Sequence, residues 1–291
     1  MELTTRSGFE YYRYDPSLAA AVIFIICFLL TTALHTFQLI RTKTLFFIPS
    51  LVGGYFEWIG YCARAVSSNQ SPNWTLGPYI VQSLLPLVAP ALFAASIYME
   101  LGRLIVVLHA EKHSLIRVKW LTKIFVTGDV LSFLLQAGGA GLMASHSQSS
   151  ATNGSHIITG GLVIQILFFG FFIISTAIFH HRMDSSPTPY SLSSGIDWRR
   201  LIWVLYSVSV LILVRSIYRL IEYIQGFSGY LISHEAYLYV FDALLMFVVM
   251  LLFHVVHPSE LNAWLKSGGL VSKGFRFERL QGATGNLAET A

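Results

Sequence analysis

Charged residues interrupt long apolar stretches of this sequence at helical spacing. Arg215, Arg219 and Glu222 follow one another at intervals of four and three residues, which places them on one face of a helix. Glu235 and Asp242 are seven residues apart and share a face of the next apolar stretch. A charge at the centre of a membrane helix costs about 2.5–3.5 kcal/mol on insertion scales. We therefore expect these side chains to face one another or a wet cavity, and not lipid.

Two more apolar stretches carry polar pairs of the same kind. Glu57 and Arg64 are seven residues apart, as are Asp129 and Gln136. Seven of the charges in these four stretches lie at mid-membrane or in its outer half by residue count, and unpaired they would cost on the order of 20 kcal/mol. An ion-pair network that fixes helix register is one interpretation, and a ligand site or translocation path is the favoured one. The predicted substrate site is Glu57, Arg64, Asp129, Gln136, Arg215, Arg219, Glu222, Glu235 and Asp242.

Two other groups of residues are given roles outside the predicted substrate site. Glu100 and Arg103 are three residues apart near the end of one stretch, so they are predicted to form a purely structural ion pair. Phenylalanines 168, 169, 171 and 172 offer an aromatic wall for an alkyl chain, although for each of them core packing or lipid contact is the stronger interpretation.

The elements that must position these residues are membrane helices. The chain has 291 residues, of which 54% are hydrophobic and 12% charged, whereas soluble domains carry about 25% charged residues. A spanning helix needs about 20 mostly apolar residues. Such runs predict an all-α polytopic membrane protein with seven transmembrane helices, at residues 18–40, 46–66, 78–108, 120–143, 156–179, 201–225 and 236–256.

Lysines and arginines predict the orientation of these helices, because they collect in cytosolic loops. Twelve of them lie on one predicted side of the membrane. The other side has only two, Arg6 and Arg13, and both lie before the first span. The N-terminus is therefore expected outside and the C-terminus in the cytosol. The predicted organisation is an extracellular segment 1–17, a seven-helix domain 18–257 and a cytosolic tail 258–291, expected to be disordered. The glycosylation sequons at Asn73 and Asn153 fall in loops assigned to the outside.

Several function classes are excluded or disfavoured by the residues. No basic face with interleaved aromatics lies outside the spans, so nucleic-acid binding is not expected. No phosphate-binding glycine loop occurs, so the chain is not expected to hydrolyse ATP. A zinc lipid hydrolase would need three histidines together, but His156 is predicted at the outer end while His35 and His254 lie near the inner end. We expect no catalytic residues, metal or cofactor.

Several segments make the sequence similar to a known family. They are YFEWIGYCAR, ALFAASIYMELGRLI, GDVLSFLLQAGGAGLMA, ITGGLVIQ, RSIYRLIEYIQGFSGYLISHEAYLYVFDALLM and HVVHPSE. In order and spacing they resemble the fungal lipid-translocating exporters, a family of seven-span proteins that includes aminocholesterol-resistance and sphingoid long-chain-base exporters. The similarity covers residues 12–260. YVFDALLM departs from the pattern, since many members have a proline after the alanine-leucine pair, and this changes the expected kink near Asp242.

The resemblance implies a function. It implies export or outward flipping of sphingoid bases, resistance to toxic amphiphiles and a plasma-membrane location, with membrane lipids as partners. One relative is linked to porphyrin transport, so sterol-like or porphyrin substrates stay open. Movement would be downhill or coupled to a gradient through a titrating carboxylate such as Asp129 or Asp242. The alternatives are a seven-span lipid sensor without net transport and, less favoured, an intramembrane lipid hydrolase.

Overall fold

The structure is mainly a bundle of long helices. It is a computed structural model that describes residues 12, 14–143, 148–193, 196–226, 229–266 and 268–281. The helices are α1 (Leu18–Thr42), α2 (Ile48–Asn69), α3 (Leu76–Val107), α4 (Val118–Met143), α5 (Gln148–Ser185), α6 (Pro189–Ser193), α7 (Trp198–Gln225), α8 (Glu235–Leu238), α9 (Leu244–Val255) and α10 (Ser259–Leu265). A π-helical turn at Tyr239–Ala243 joins α8 to α9, and we call the continuous helix α8–α9.

Six of the described helices are long and apolar enough to cross a membrane. They are α1, α3, α4, α5, α7 and α8–α9. Many of their large apolar side chains are exposed, among them Ile23, Leu30, Leu167 and Ile224, and such a surface is suited to lipid. The chain is therefore an all-helical polytopic membrane protein apart from a short hairpin in its tail. The seventh predicted span, α2, is a helix of 22 residues but is not among the six, because glycines, serines, Glu57 and Arg64 lower its mean hydropathy.

Local sequence explains where the principal helices begin. The Ser17 hydroxyl accepts a hydrogen bond from the Ala20 amide and caps α1, and the Asp197 carboxylate does the same for the Arg200 amide in α7. Pro49 lies in the first turn of α2, where its missing N–H is not needed.

Small residues let neighbouring helices touch. α2 packs between α1 and α3, and α4 packs along α5. A Cβ atom on Gly60 of α2 would lie 2.6 Å from the Pro86 ring of α3, and one on Gly139 of α4 would lie 2.6 Å from the Gly154 carbonyl oxygen of α5. These contacts hold the backbones close together, as is common in membrane bundles.

The connections collect at two ends of the bundle. At one end the Ser68 hydroxyl donates to the Pro16 carbonyl, and the Ser17 amide donates to Glu235. At the other end Thr188 donates to the Leu108 carbonyl, and α10 contacts α3. The long helices of the described residues therefore run alternately between these two ends of the bundle. We call the two ends the Ser17 end and the Leu108 end.

The tail differs from the predicted disorder. Residues 259–265 form α10, and β1 (Gly268–Lys273) pairs antiparallel with β2 (Arg276–Gln281). Gly274 takes the left-handed φ of +61° that the tight turn requires. Gln38 of α1 donates to the Ser272 hydroxyl at 2.9 Å, so the hairpin is anchored to the bundle. Residues 282–291 lie outside the described residues.

The loop predicted at 144–155 is also partly helical. α5 begins at Gln148, eight residues before the predicted span, so the sequon at Asn153 lies on a helix. The sequon at Asn73 lies in an exposed bend between α2 and α3, as expected.

Candidate functional site

Asp242 joins two arginines of α7 at the centre of the site. The Asp242 Oδ1 atom accepts a hydrogen bond from the Arg215 Nε at 2.5 Å, and its Oδ2 atom accepts one from Arg219. Arg219 also donates to Glu222 at 2.9 Å. The Arg215 side chain is 0% exposed and that of Asp242 is 2% exposed. The pairing of α7 with α8–α9 through opposite charges agrees with the sequence-based expectation.

A proline in α3 supplies another partner for Arg215. In a regular helix the Pro86 carbonyl would accept from the N–H of residue 90, but that residue is a proline and has no N–H. The freed Pro86 oxygen accepts instead from the Arg215 Nη2 at 2.8 Å. The two prolines thus determine the position along α3 at which Arg215 of α7 makes its contact.

The π-helical turn places Asp242 in the cluster. The turn covers Tyr239–Ala243, and the Tyr239 and Asp242 side chains are both buried. π-helical turns are rare and are frequent at functional sites. Many members of the family that the sequence resembles have a proline near this position, which would kink the helix. This chain lacks that proline, but the π-helical turn distorts the helix at Asp242 instead.

A second ion pair lies towards the Ser17 end. Arg64 of α2 pairs with Glu235 at 2.8 Å and donates to the hydroxyls of Tyr14 at 2.7 Å and Tyr239 at 3.1 Å. The Ser17 amide donates to both Glu235 oxygens at 3.0 Å. The N-terminal segment therefore closes over this ion pair and contributes directly to the site.

Aromatic side chains surround this second ion pair. The Tyr12 ring contacts those of Tyr14, Trp74 and Tyr79 at centroid distances of 5.1–6.3 Å. Burial raises the pKa of the Tyr12 hydroxyl to about 12, so it stays protonated at neutral pH. The Arg64 guanidinium lies over the Tyr14 ring at 5.6 Å. An aromatic setting of this type suits organic cations.

Glu57 is the remaining carboxylate of this region. It is 1% exposed, and its Oε1 atom has no hydrogen-bond partner among the described residues. Its charge interacts with Asp242, Arg215 and Arg219. Among the described residues, no group accepts a hydrogen bond from the Nη1 of Arg215 or the Nε of Arg219. Six of the seven charges expected to converge, all except Asp129, thus lie in one region, and Glu235 joins them.

Asp129 and Gln136 lie apart from this cluster. Gln136 donates to Ser132 at 2.7 Å and to Gln165 at 3.0 Å, which links α4 to α5. Asp129 is 4% exposed, and its neighbour is the Tyr98 hydroxyl, although no hydrogen bond of normal geometry joins them. The expectation that Asp129 joins the arginines is wrong because α4 packs mainly along α5 and not along α7.

The predicted ion pair between Glu100 and Arg103 is not formed. Both Glu100 carboxylate oxygens are buried and accept no hydrogen bond from the residues that the structure describes. The Arg103 guanidinium lies 4.0 Å above the Phe46 ring instead. The two side chains leave α3 in different directions, so a spacing that permits a pair is not sufficient to form one.

Most of the phenylalanines of α5 pack in the core and do not form an aromatic surface for an alkyl chain. Phe169 and Phe172 are buried and contact the Tyr98 ring at 6.2 and 4.7 Å. Phe168 covers Gly128. Phe171 is exposed, 41% of its surface being accessible, so at most this residue offers a surface to an alkyl chain.

Three histidines meet near the Leu108 end, where the sequence suggested no such group. The His35 ring lies 5.8 Å from that of His254 and 6.3 Å from that of His257. His257 follows the predicted span, which ends at residue 256, so the helical periodicity of that span did not include it. No group of three or more His, Cys, Asp or Glu side chains in the described part of the chain is arranged to hold a metal ion.

Comparisons with known proteins identify the family. A family model described as RTA1 like protein matches residues 50–263. The chain is 41% identical to protoporphyrin uptake protein 1 of Saccharomyces cerevisiae, over 87% of this chain and 93% of that protein. It is 31% identical to the probable lipid transporter atnI of Emericella nidulans, over 86% and 67% of the two chains. It is 26% identical to the sphingoid long-chain base transporter RSB1 of S. cerevisiae, over 89% and 76%.

No solved structure matches the chain. The family match covers most of the sequence, and the relatives fit the fungal lipid exporters that its motifs resemble. This chain belongs to the RTA1-like protein family.

Proposed function

We propose that this protein is a transporter that exports or flips sphingoid long-chain bases or similar amphiphilic lipids. The observation that carries the proposal is the buried cluster on α2, α7 and α8–α9, with three arginines against four carboxylates. Intramembrane charges that face a bundle interior are typical of substrate and ion pathways. A network that only fixed helix register would not require a carboxylate without a partner.

The Ser17 end of the cluster suits a cationic head group. Glu235 is 15% exposed on its side chain, and tyrosines and a tryptophan lie beside it. A sphingoid base carries an ammonium group, which carboxylates and aromatic faces bind. Its alkyl chain would stay against the apolar outer faces of the helices, in contact with lipid. The relatives named as lipid and sphingoid-base transporters support this substrate class.

A porphyrin is the second candidate substrate. The relative named for protoporphyrin uptake is 41% identical to this chain, compared with 26% for the sphingoid-base transporter. Protoporphyrin carries two carboxylates, which would pair with arginines and not with Glu235. The Nη1 of Arg215 and the Nε of Arg219 donate to no group in the part of the chain that the structure describes, so both are available to a carboxylate of the substrate.

We also propose the membrane arrangement that this function needs. α2 completes seven spans because its charges are neutralised inside the bundle and its two neighbours, α1 and α3, are themselves apolar enough to span. The Ser17 end faces the outside, and the chain resides in the plasma membrane, where export confers resistance to toxic amphiphiles.

A flux assay tests the proposal. Purified full-length protein is placed in liposomes with a fluorescent sphingoid base, and transfer between leaflets is followed by extraction with albumin. The matched control substrate is the short-chain ceramide made by N-acetylation of the same base, which keeps the long chain but carries no positive charge. Protoporphyrin is a separate arm. Faster transfer of the amine than of the ceramide supports a sphingoid-base transporter. Saturable binding without transfer would favour a lipid sensor and contradict the proposal.

A further inference from the structure

We propose that Glu57 is the exchange site of this transporter. It holds a proton when the site is empty and binds the ammonium group of the substrate when the site is loaded. The inference rests on the proposed function and extends it by naming the residue and the coupling ion.

Charge pairing within the cluster singles out Glu57. Each of the three arginines has its own carboxylate: Arg64 pairs with Glu235, Arg215 with Asp242 and Arg219 with Glu222. Among the described residues of this region, Glu57 is the fourth carboxylate and has no such partner. An ionised Glu57 would leave one excess negative charge in the bundle, while a protonated Glu57 makes the cluster neutral.

Burial favours the neutral form of this cluster. Glu57 is 1% exposed and its Oε1 atom accepts no hydrogen bond from the described residues. An ionised carboxylate without such bonds is very costly in an apolar setting, and in practice it takes up a proton. The carboxyl group is thus a site for one monovalent cation, either a proton or an ammonium group.

The groups facing Glu57 come from three helices. Arg215 and Arg219 of α7 and Asp242 of α8–α9 interact with its charge, and Tyr61 lies one turn further along α2. α1 and α3 also pack against α2, but the described parts of these two helices add no charged group to this neighbourhood. Arg219 also pairs with Glu222. The two arginines and the two carboxylates Asp242 and Glu222 together carry no net charge, so they leave an ionised Glu57 without a counter-charge.

Other buried carboxylates fit this role less well. Asp242, which the sequence suggested for coupling, is held by two arginines, so binding a cation there would first require breaking two ion pairs. Asp129 and Glu100 also accept no hydrogen bond within the described part of the chain, but they lie outside the cluster. These two residues therefore serve as controls, since they share burial and lack of pairing with Glu57 but not its location.

The exchange conserves charge and atoms. The ammonium group arrives as a cation, the Glu57 carboxyl group releases its proton to water, and the carboxylate then pairs with the ammonium group. On the other side of the membrane a proton returns to the carboxylate and the ammonium group leaves. One proton moves for each substrate molecule, in the opposite direction, and the charge within the bundle does not change.

The test uses the full chain in liposomes with a pH difference across the membrane. The substrate is an N-trimethyl sphingoid base, because a permanent charge prevents passive trapping of a free amine on the acidic side. The wild type should accumulate this cation on the acidic side by about tenfold per pH unit, as one-for-one exchange requires. Glu57→Gln should lose this effect, whereas Asp129→Asn and Glu100→Gln should keep it. If the wild type transfers the cation but its accumulation does not depend on the pH difference, the inference is overturned and the proposed function remains.

A second measurement does not depend on transport. A protonated buried carboxyl group has a carbonyl stretch in the infrared that shifts in heavy water. At neutral pH the difference spectrum between the wild type and Glu57→Gln should contain this band, with both proteins melting at similar temperatures. A difference spectrum without the band would overturn the inference whether or not a sphingoid base is transported. Absence of any lipid transfer by the wild type would instead contradict the proposed function.

Discussion

Asp242 is the residue whose loss should be most damaging to the cluster, because it neutralises two buried arginines. Removing one partner of a buried ion pair typically costs about 3–5 kcal/mol, since the remaining charge has no counterpart. We expect Asp242→Ala to lower the melting temperature in detergent strongly. Asp242→Asn keeps the shape and one acceptor and should lower it less, while impairing lipid transfer.

Asp184 provides the matched control for this prediction. It pairs with Arg199 at 2.9 Å on the surface, with 42% and 65% of the two side chains exposed. Exposed pairs contribute about 0–1 kcal/mol, so Asp184→Asn should melt close to the wild type. Equal melting temperatures for Asp184→Asn and Asp242→Ala would show that the buried pairs do not stabilise the bundle.

His257 should make the protein sensitive to acid. Burial, with added repulsion from His35 and His254, lowers the pKa of His257 from 6.5 to about 3. The folded protein keeps this ring neutral while the unfolded chain takes up a proton below about pH 6.5, so stability is full above that pH and falls as the pH approaches 3. His257→Asn retains an acceptor for the Ser259 amide. Its melting temperature should fall less between pH 7 and 4 than that of the wild type, and parallel curves would contradict this.

At the scale of helices, Gly60 sets the distance between α2 and α3. A Cβ atom there would lie 2.6 Å from the Pro86 ring, which cannot rotate away. Gly60→Ala should therefore separate the helices near the Arg215 contact and lower the melting temperature. Gly138→Ala is the control, because a Cβ atom at that position of α4 meets open space, and alanine favours a helix by about 1 kcal/mol. A Gly60→Ala protein as stable as Gly138→Ala would contradict the close contact.

The hairpin should contribute to stability. Gln38 is buried in α1 and donates to Ser272 and to the Gly274 carbonyl, and the Phe275 ring lies 4.8 Å from that of His254. Ending the chain after Lys266 removes these partners and should lower the melting temperature measurably. Ending it after residue 281 keeps the hairpin and is the control. Equal melting of the two shortened chains would show that the hairpin is dispensable.

Spacing along the sequence predicted much of the helical arrangement but not all neighbours. Intervals of three, four and seven residues placed Arg215, Arg219 and Asp242 correctly, because the loop between their helices is short. The same periodicity could not show that α4 faces α5, so Asp129 was assigned to the wrong neighbours. Tyr14 and Ser17 were missed because the segment before α1 has no repeating pattern, and a hairpin of two six-residue strands is too short to stand out.

For the whole molecule, the proposed topology predicts which tags are accessible. The distribution of lysines and arginines predicts that the Ser17 end faces the outside. A tag before Met1 should be labelled in intact cells and a tag after Ala291 only after permeabilisation. The exposed bend at Asn73 should accept a glycan more readily than Asn153, which is in α5, so Asn73→Gln should remove any mass shift. Labelling of the C-terminal tag in intact cells would show that the membrane orientation is the opposite of the proposed one.

The freed carbonyl of Pro86 has a consequence for how this sequence can evolve. With proline at position 90, the Pro86 oxygen depends on the donor from Arg215. With any other residue at position 90, a backbone N–H would return and the helix would satisfy that oxygen by itself. The dependence therefore runs in one direction. Lineages that lose the arginine at 215 should already have lost the proline at 90, whereas the proline can be replaced first while the arginine remains.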